Sequence, residues 1–315
     1  MSGSEGRNSD IPRDRFVPEI VRCAGVTGLA LCWVTLVGCG QVAEAVRVAP
    51  HSALTVADAA PDPALIDKHC PFGQPQLSAT LEHGPTQVVS RQAYALEHDS
   101  LSKIALWVCG SLDPDLVFGD AERKDNWLPE PELNGKPRAV DADYKGSGFQ
   151  RGHMVASEDR VATQALNDAT FFFSNAVPQN GSLNGGQWSQ LEATIRGWVE
   201  NQTLTDAKMI TGGFFYDPAE DDPATADGII HFQQIGSGNV AVPTHVFKLV
   251  VGRNGTQTKA IAFVAPNKKP PAGWTFTDGI VAIDWLEERA GLDFMPDLDP
   301  GDEVSLESKP SPMLP

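Results

Sequence analysis

The chain has 315 residues, of which 41% are hydrophobic, enough to bury the core of one large globular domain. Its formal charge of −17 and a sequence pI near 4.7 argue against a simple nucleic-acid binder, which carries a basic footprint. No tandem repeat, coiled-coil heptad or zinc-ligand spacing occurs.

In chain order, the first feature is an apolar run over residues 23–38, preceded by Arg13, Arg15 and Arg22. It is short for a membrane-spanning helix and reads as the core of a signal peptide. It ends in Leu36-Val37-Gly38-Cys39, which resembles a bacterial lipoprotein box with Cys39 as the lipidated residue. Two other readings stay open: cleavage after Ala43-Glu44-Ala45 to a free enzyme, or an uncleaved apolar anchor. Residues 1–39 are thus assigned to export, and residues 40–65, rich in Ala, Val and Pro, to a flexible tether. The expected location is the periplasmic side of a bacterium, held at the membrane as a lipoprotein, or secreted. If the chain is exported, only Cys70 and Cys109 remain in the folded body, and an oxidising compartment predicts one disulfide between them, the alternative being two buried free thiols.

Downstream, Trp107-Val108-Cys109 reads as a strand, and Asn134-Gly135 and Asn254-Gly255 as turns. Phe149 to Met154 reads as the end of a strand. Ala169-Thr-Phe-Phe-Phe-Ser174 reads as a second, buried strand ending at Asn175. Gly185 and Gly186 suit a turn into a helix. On that helix Asn184, Trp188, Glu192 and Arg196 recur every four residues and share a face. Leu191, Ile195 and Trp198 form an adjacent apolar stripe that pins it to a core. Asp217 to Asp227 reads as a solvated acidic loop, and residues 299–315 as a loose acidic, Pro-rich tail.

The chemistry gathers between residues 143 and 196. Asp143-Tyr-Lys-Gly-Ser-Gly-Phe-Gln-Arg-Gly-His-Met154 supplies an imidazole that can take a proton near neutral pH. The helix presents an amide oxygen and a carboxylate suited to Mg²⁺. Arginines can clamp a phosphate. Each group has a bland alternative: a lone histidine is usually structural, and Glu192 with Arg196 could be an ordinary i,i+4 pair.

Two spaced hallmarks decide between these readings. Gln150-Arg151-Gly152-His153 is followed by Asn175, Gln179, Asn184, Trp188, Leu191-Glu192 and Arg196. In this the chain resembles the DNA/RNA non-specific endonuclease family, from His69 to about Leu298. The frame includes Arg91-x-x-Tyr-Ala-Leu96, Ala241-Val-Pro-Thr-His-Val-Phe-Lys248 and Gly291-Leu-Asp-Phe294.

The resemblance implies an α+β, ββα-metal nuclease fold over residues 66–298, with a mixed, mostly antiparallel central sheet and flanking helices. It implies His153 as general base, Asn184 as direct metal ligand and Glu192 as holder of a metal-bound water. Arg151, Arg196 and Arg123 would contact phosphate or the transition state, and Asn175 and Gln179 would brace the site. The implied cofactor is Mg²⁺, with Mn²⁺ able to substitute. The implied substrates are DNA and RNA, cut to 5′-phosphate products, and a homodimer is a possible assembly. The hallmark carries Asp where this chain has Gln150, which keeps an acceptor oxygen and loses a charge. With the acidity, that departure motivates an alternative: a weak or inactive relative that binds nucleic acid or protein.

Overall fold

The computed structural model describes residues 60–79 and 81–312. The export segment 1–39 with Cys39, the tether up to residue 59, and residues 313–315 lie outside them. The folded body begins earlier than the tether assignment: Asp62 caps a helix, α1 (Pro63–His69), its Oδ1 accepting from the Ala64 amide at 2.9 Å. Pro63 costs nothing at the first helical position, where its missing N–H would have no partner.

The strands that matter below are β1 (Thr86–Ser90), β2 (Ala95–Asp99), β3 (Ala105–Leu112), β4 (Phe149–His153), β5 (Ala176–Asn180), β6 (Thr205–Phe214), β7 (His245–Asn254), β8 (Gln257–Pro266) and β9 (Ile280–Val281). Three further helices are α2 (Ser189–Glu200), α3 (Ile283–Ala290) and α4 (Pro300–Glu307). Seven strands form one sheet in the order β9-β8-β7-β6-β3-β2-β1, and every neighbouring pair is antiparallel. Among the described residues the parallel contact is an isolated bridge, Leu128 to Phe172. The β7–β8 hairpin closes through Gly255, at φ +60°, as the Asn-Gly signal predicts.

The sheet is covered on both faces because its strands alternate two apolar sets. On β7, Phe247, Leu249 and Val251 face a cluster with Ile283, Leu286 and Ala290 of α3. Val246 and Val250 face the opposite cluster, which holds Trp188, Leu191, Ile195 and Trp198. The predicted apolar stripe of α2 is therefore what seats it on the sheet. The Cys70–Cys109 disulfide, with Cα atoms 5.7 Å apart, ties the end of α1 to β3. No helix of the described residues is long and apolar enough to cross a membrane.

Two expectations fail. Residues 169–174 form no strand: α-helix Gln164–Ala169 runs into a 3₁₀ turn at Phe173–Asn175, and the strand begins at Ala176. The three consecutive phenylalanines are packed from different directions, Phe171 and Phe173 inward and Phe172 beneath the Arg91 guanidinium at 4.5 Å. The tail is also not loose throughout. Residues 300–307 form α4, which docks with Leu306 against the α3 cluster and Glu307 buried. The acidic stretch from Asp217 to Asp227 is mostly exposed, as expected.

Candidate active site

β4 and β5 form a separate antiparallel hairpin-like pair, with Gln150 opposite Gln179 and His153 opposite Ala176. The chain then turns at Asn180, whose Oδ1 accepts from the Ser182 and Leu183 amides at 3.0 and 3.3 Å. A wide turn, Asn184–Trp188, with Gly186 out of helical geometry, leads into α2. The glycine pair thus lies inside the helical entry rather than before it. Asn267 anchors this unit to the main sheet: its Oδ1 accepts from the Asn180 amide, and its Nδ2 donates to the Pro178 and Pro243 carbonyls. Two strands and a helix are thereby held as one frame.

His153 sits at the end of β4, only 9% exposed. Its ring lies 4.6 Å from Trp127 and meets the edge of Phe171 at 5.1 Å. Burial first, and the Arg123 charge second, push its protonation down to about 3, so the imidazole is neutral at neutral pH. Its Nε2 is buried without a protein hydrogen-bond partner. A neutral ring with an unengaged nitrogen can accept a proton.

The arginines gather on the same aromatic layer. Arg123 lies 5.3 Å over Phe171, donates to Ser157 Oγ at 2.8 Å, and pairs with Asp125 at 2.8 Å. Arg151 lies two residues before His153, hence on the same side of β4. It pairs with Asp141, and its guanidinium lies 5.5 Å over Tyr144 and 5.8 Å over Phe173. Phe173 in turn is 5.6 Å from Trp127. Arg151, His153 and Arg123 are thus spread along one ridge of rings.

On α2, Glu192 and Arg196 do not pair with each other. Arg196 Nε donates to Asp159 at 2.9 Å. Glu192 lies 3.8 Å from Lys248 Nζ, which is fully buried and also donates to Met154 O and Thr211 Oγ1. Burial drives Glu192 up to about 7, while the nearby Lys248 charge opposes that rise. Its Oε1 is buried without a hydrogen bond.

Asn184 stands at the head of the frame, its Nδ2 donating to Gln150 Oε1 at 2.8 Å. The acceptor oxygen that Gln150 keeps is thus engaged with Asn184. Asn175 is spent internally, bonded to both the N–H and the C=O of Val155 and to Thr170 O. Gln179 is fully buried, and its amide atoms lack hydrogen-bond partners. A Cβ at residue 152 would collide with the Gln179 amide, which is why the motif needs Gly152 there.

The donor set fits a hard divalent cation. Asn184 offers an amide carbonyl, and Glu192 a buried carboxylate oxygen that no protein donor satisfies. The two residues sit on either side of the kinked entry to α2, Asn184 at its start and Glu192 in the first turn of the helix. Sequence reading missed Trp127, Asp159 and the role of Lys248. The last left a signal, a lone charge on the inward side of an apolar strand.

The other histidines are accounted for elsewhere. His69 and His98 are buried and bonded to the Arg91 and Pro137 carbonyls, His245 bonds Thr244, and His83 and His231 are exposed. His51 lies outside the described residues.

A hydrolytic ββα site of this kind defines a class, and comparison with known proteins identifies it. Residues 77–300 match the model of the DNA/RNA non-specific endonuclease family, and the chain belongs to that family. It is 33% identical over 217 residues to human (Homo sapiens) mitochondrial endonuclease G, covering 68% of this chain and 71% of that one. The Bos taurus counterpart is 33% identical over 247 residues, covering 78% and 81%. The fold superposes on EndoG in the crystal structure of the EndoG/EndoGI complex with a TM-score of 0.63 and 25% identity, covering 74% of this chain and 92% of that one. As a member of a metal-dependent nuclease family, the protein is a hydrolase of phosphodiester bonds.

Proposed function

We propose that the protein is a Mg²⁺-dependent endonuclease that cuts DNA and RNA with little sequence preference and leaves 5′-phosphates. The observation that carries this reading is His153: a buried, neutral imidazole with an unengaged Nε2, flanked on one aromatic ridge by Arg123 and Arg151. Asn184 and Glu192 would hold the cation, with waters between, as Mg²⁺ prefers. When bound, that ion neutralises charge on the phosphate and on the leaving oxygen. His153 takes the proton from the attacking water. The arginines meet the negative charge that develops on the non-bridging oxygens. Trp127 and Phe171 keep His153 desolvated and fixed in orientation.

Plasmid DNA and RNA incubated with the full chain should be nicked and degraded in Mg²⁺, and spared in EDTA. Fragments should need phosphatase treatment before a kinase can label their 5′ ends. A folded preparation inert in both Mg²⁺ and Mn²⁺ would end the proposal.

We further propose export, with Cys39 as the lipid attachment point. The Cys70–Cys109 disulfide supports an oxidising compartment. Membrane fractionation of wild type and Cys39→Ala tests it. Release of the variant supports lipidation. A variant held like wild type would favour a plain anchor, and a soluble wild type beginning at Val46 would favour secretion.

A further inference from the structure

Asn184 makes its side-chain hydrogen bond to one residue, and that residue sits on the strand rather than on its own helix. Its Nδ2 donates to Gln150 Oε1 at 2.8 Å. Gln150 is exposed on β4, but its amide is laid over the turn into the helix. A Cβ at Gly181 would stand 3.1 Å from Gln150 Nε2 and 3.2 Å from its Cδ, so the bare glycine leaves room for the amide to lie there without shifting. The contact therefore links the strand of His153 to the residue that would hold the cation.

We propose that Gln150 is a positioning residue that sets which end of the Asn184 amide meets a divalent cation, and that glutamine makes this setting reversible. The inference rests on the reading of Asn184 as a metal ligand. A primary amide has one end that can ligate a cation and one that repels it. With Nδ2 committed to Gln150, Oδ1 is turned away from the strand and can ligate. Gln150, however, is also an amide. If both rotate, Gln150 Nε2 donates to Asn184 Oδ1, one hydrogen bond is kept, and Nδ2 faces the cation site instead. A carboxylate at position 150 can only accept, so it would hold Asn184 in the ligating sense. An apolar side chain would hold it in neither.

Apparent affinity falls in proportion to the fraction of molecules in the competent arrangement. A cation on Oδ1 also withdraws electron density from the amide and strengthens its N–H as a donor, so the Gln150 bond is worth more in the bound state. Removing it should therefore weaken binding by the difference between a charge-assisted and an ordinary hydrogen bond, about threefold to tenfold.

The test measures Mn²⁺ binding to the full chain by electron paramagnetic resonance of the free ion, without substrate. Binding elsewhere on this acidic protein is subtracted with Asn184→Ala. Gln150→Met should weaken the Asn184-dependent site about threefold to tenfold, and Gln150→Glu, which keeps the length, should tighten it. In an Asn184→Asp background, where both ends of residue 184 are oxygens, Gln150→Met should have little effect. Wild-type affinity in Gln150→Met, or an equal loss in the Asn184→Asp background, overturns the positioning role. Wild-type binding by Asn184→Ala would instead overturn the assignment of Asn184 as ligand, a distinct result. Position 150 is exposed, so these variants keep the fold, which circular dichroism verifies.

Discussion

Glu192, in the active site, and Glu307, on the C-terminal helix, are both largely buried carboxylates whose protonation is pushed up, to about 7 and about 8, with burial the largest cause. Their surroundings differ. Glu192 has Lys248 at 3.8 Å and Arg196 one turn along α2. Glu307 faces carboxylates: Asp284, Glu287 and Glu307 lie with oxygens within 4.8 Å of one another, and Glu303 and Asp293 add to the repulsion. A buried charge is tolerable with a partner and costly without one. The active site is thus framed by fixed cations and can exist before a ligand arrives. The docking of α4 instead brings carboxylates together, and burial and their repulsion push Glu307 up.

The largest effect should come from the residue that this framework serves. His153→Ala should lower turnover by ~10²–10⁴-fold in a plasmid-nicking assay, with an unchanged circular dichroism spectrum. Cleavage at the wild-type rate would remove His153 from the mechanism.

Lys248→Met should strand Glu192 as a buried, unpaired carboxylate and cost about 3–5 kcal/mol of stability in denaturant titration. Adding Glu192→Gln should recover much of that loss. Equal instability in the double variant would show that Lys248 acts through Met154 and Thr211 alone.

Replacing Cys70 and Cys109 together by serine should cost about 2–4 kcal/mol, since the bridge closes a loop of sequence separation 39. Reducing agent should lower the wild-type melting temperature and leave the serine variant unmoved.

The smallest effect, and the sharpest probe of the contrast, concerns α4. A folded-state pKa raised from 4.5 to about 8 makes the Glu307 contribution complete at low pH and lost as pH rises through about 8. Hydrogen-exchange protection of residues 300–307, corrected for intrinsic rate, should fall as pH rises from about 5 to about 8 and level off above that, and Glu307→Gln should flatten that dependence. His69 and His153 act in the opposite direction. Held down to about 3 in the fold, they contribute stability above their ordinary value of 6.5 that is lost as pH falls toward 3. Global stability should therefore decline on the acid side while α4 loosens on the alkaline side.

Much of this was legible in the chain itself. The apolar spacing of Leu191, Ile195 and Trp198 announced a helix and its buried face, because a 3.6-residue period is a local property of the backbone. The Asn254-Gly255 turn and the cysteine pair were readable for similar reasons: a positive φ and a covalent partner each restrict the residue types allowed. The motif around Gly152 and His153, with Asn184 and Glu192, named the chemistry.

Other features required three dimensions. The run from Ala169 to Ser174 looked like a strand because consecutive apolar residues are ambiguous by period. Its packing on both Arg91 and Trp127 decided otherwise. The tail seemed loose because its charge is evident in sequence, while the surface that receives Leu306 is not. Which cation serves which carboxylate could not be read at all: Glu192 and Arg196, four apart on one helix, turned instead to Lys248 and Asp159. Residue spacing placed Glu192 and Arg196 together on α2, but it also placed Asn184 and Trp188 on that helix, and they lie in the kinked turn before it, where Gly186 leaves helical geometry. Pairing between elements depends on distances that arise only when strands and helices far apart in sequence pack together, and the partners of Asn184, Glu192 and Glu307 were decided there.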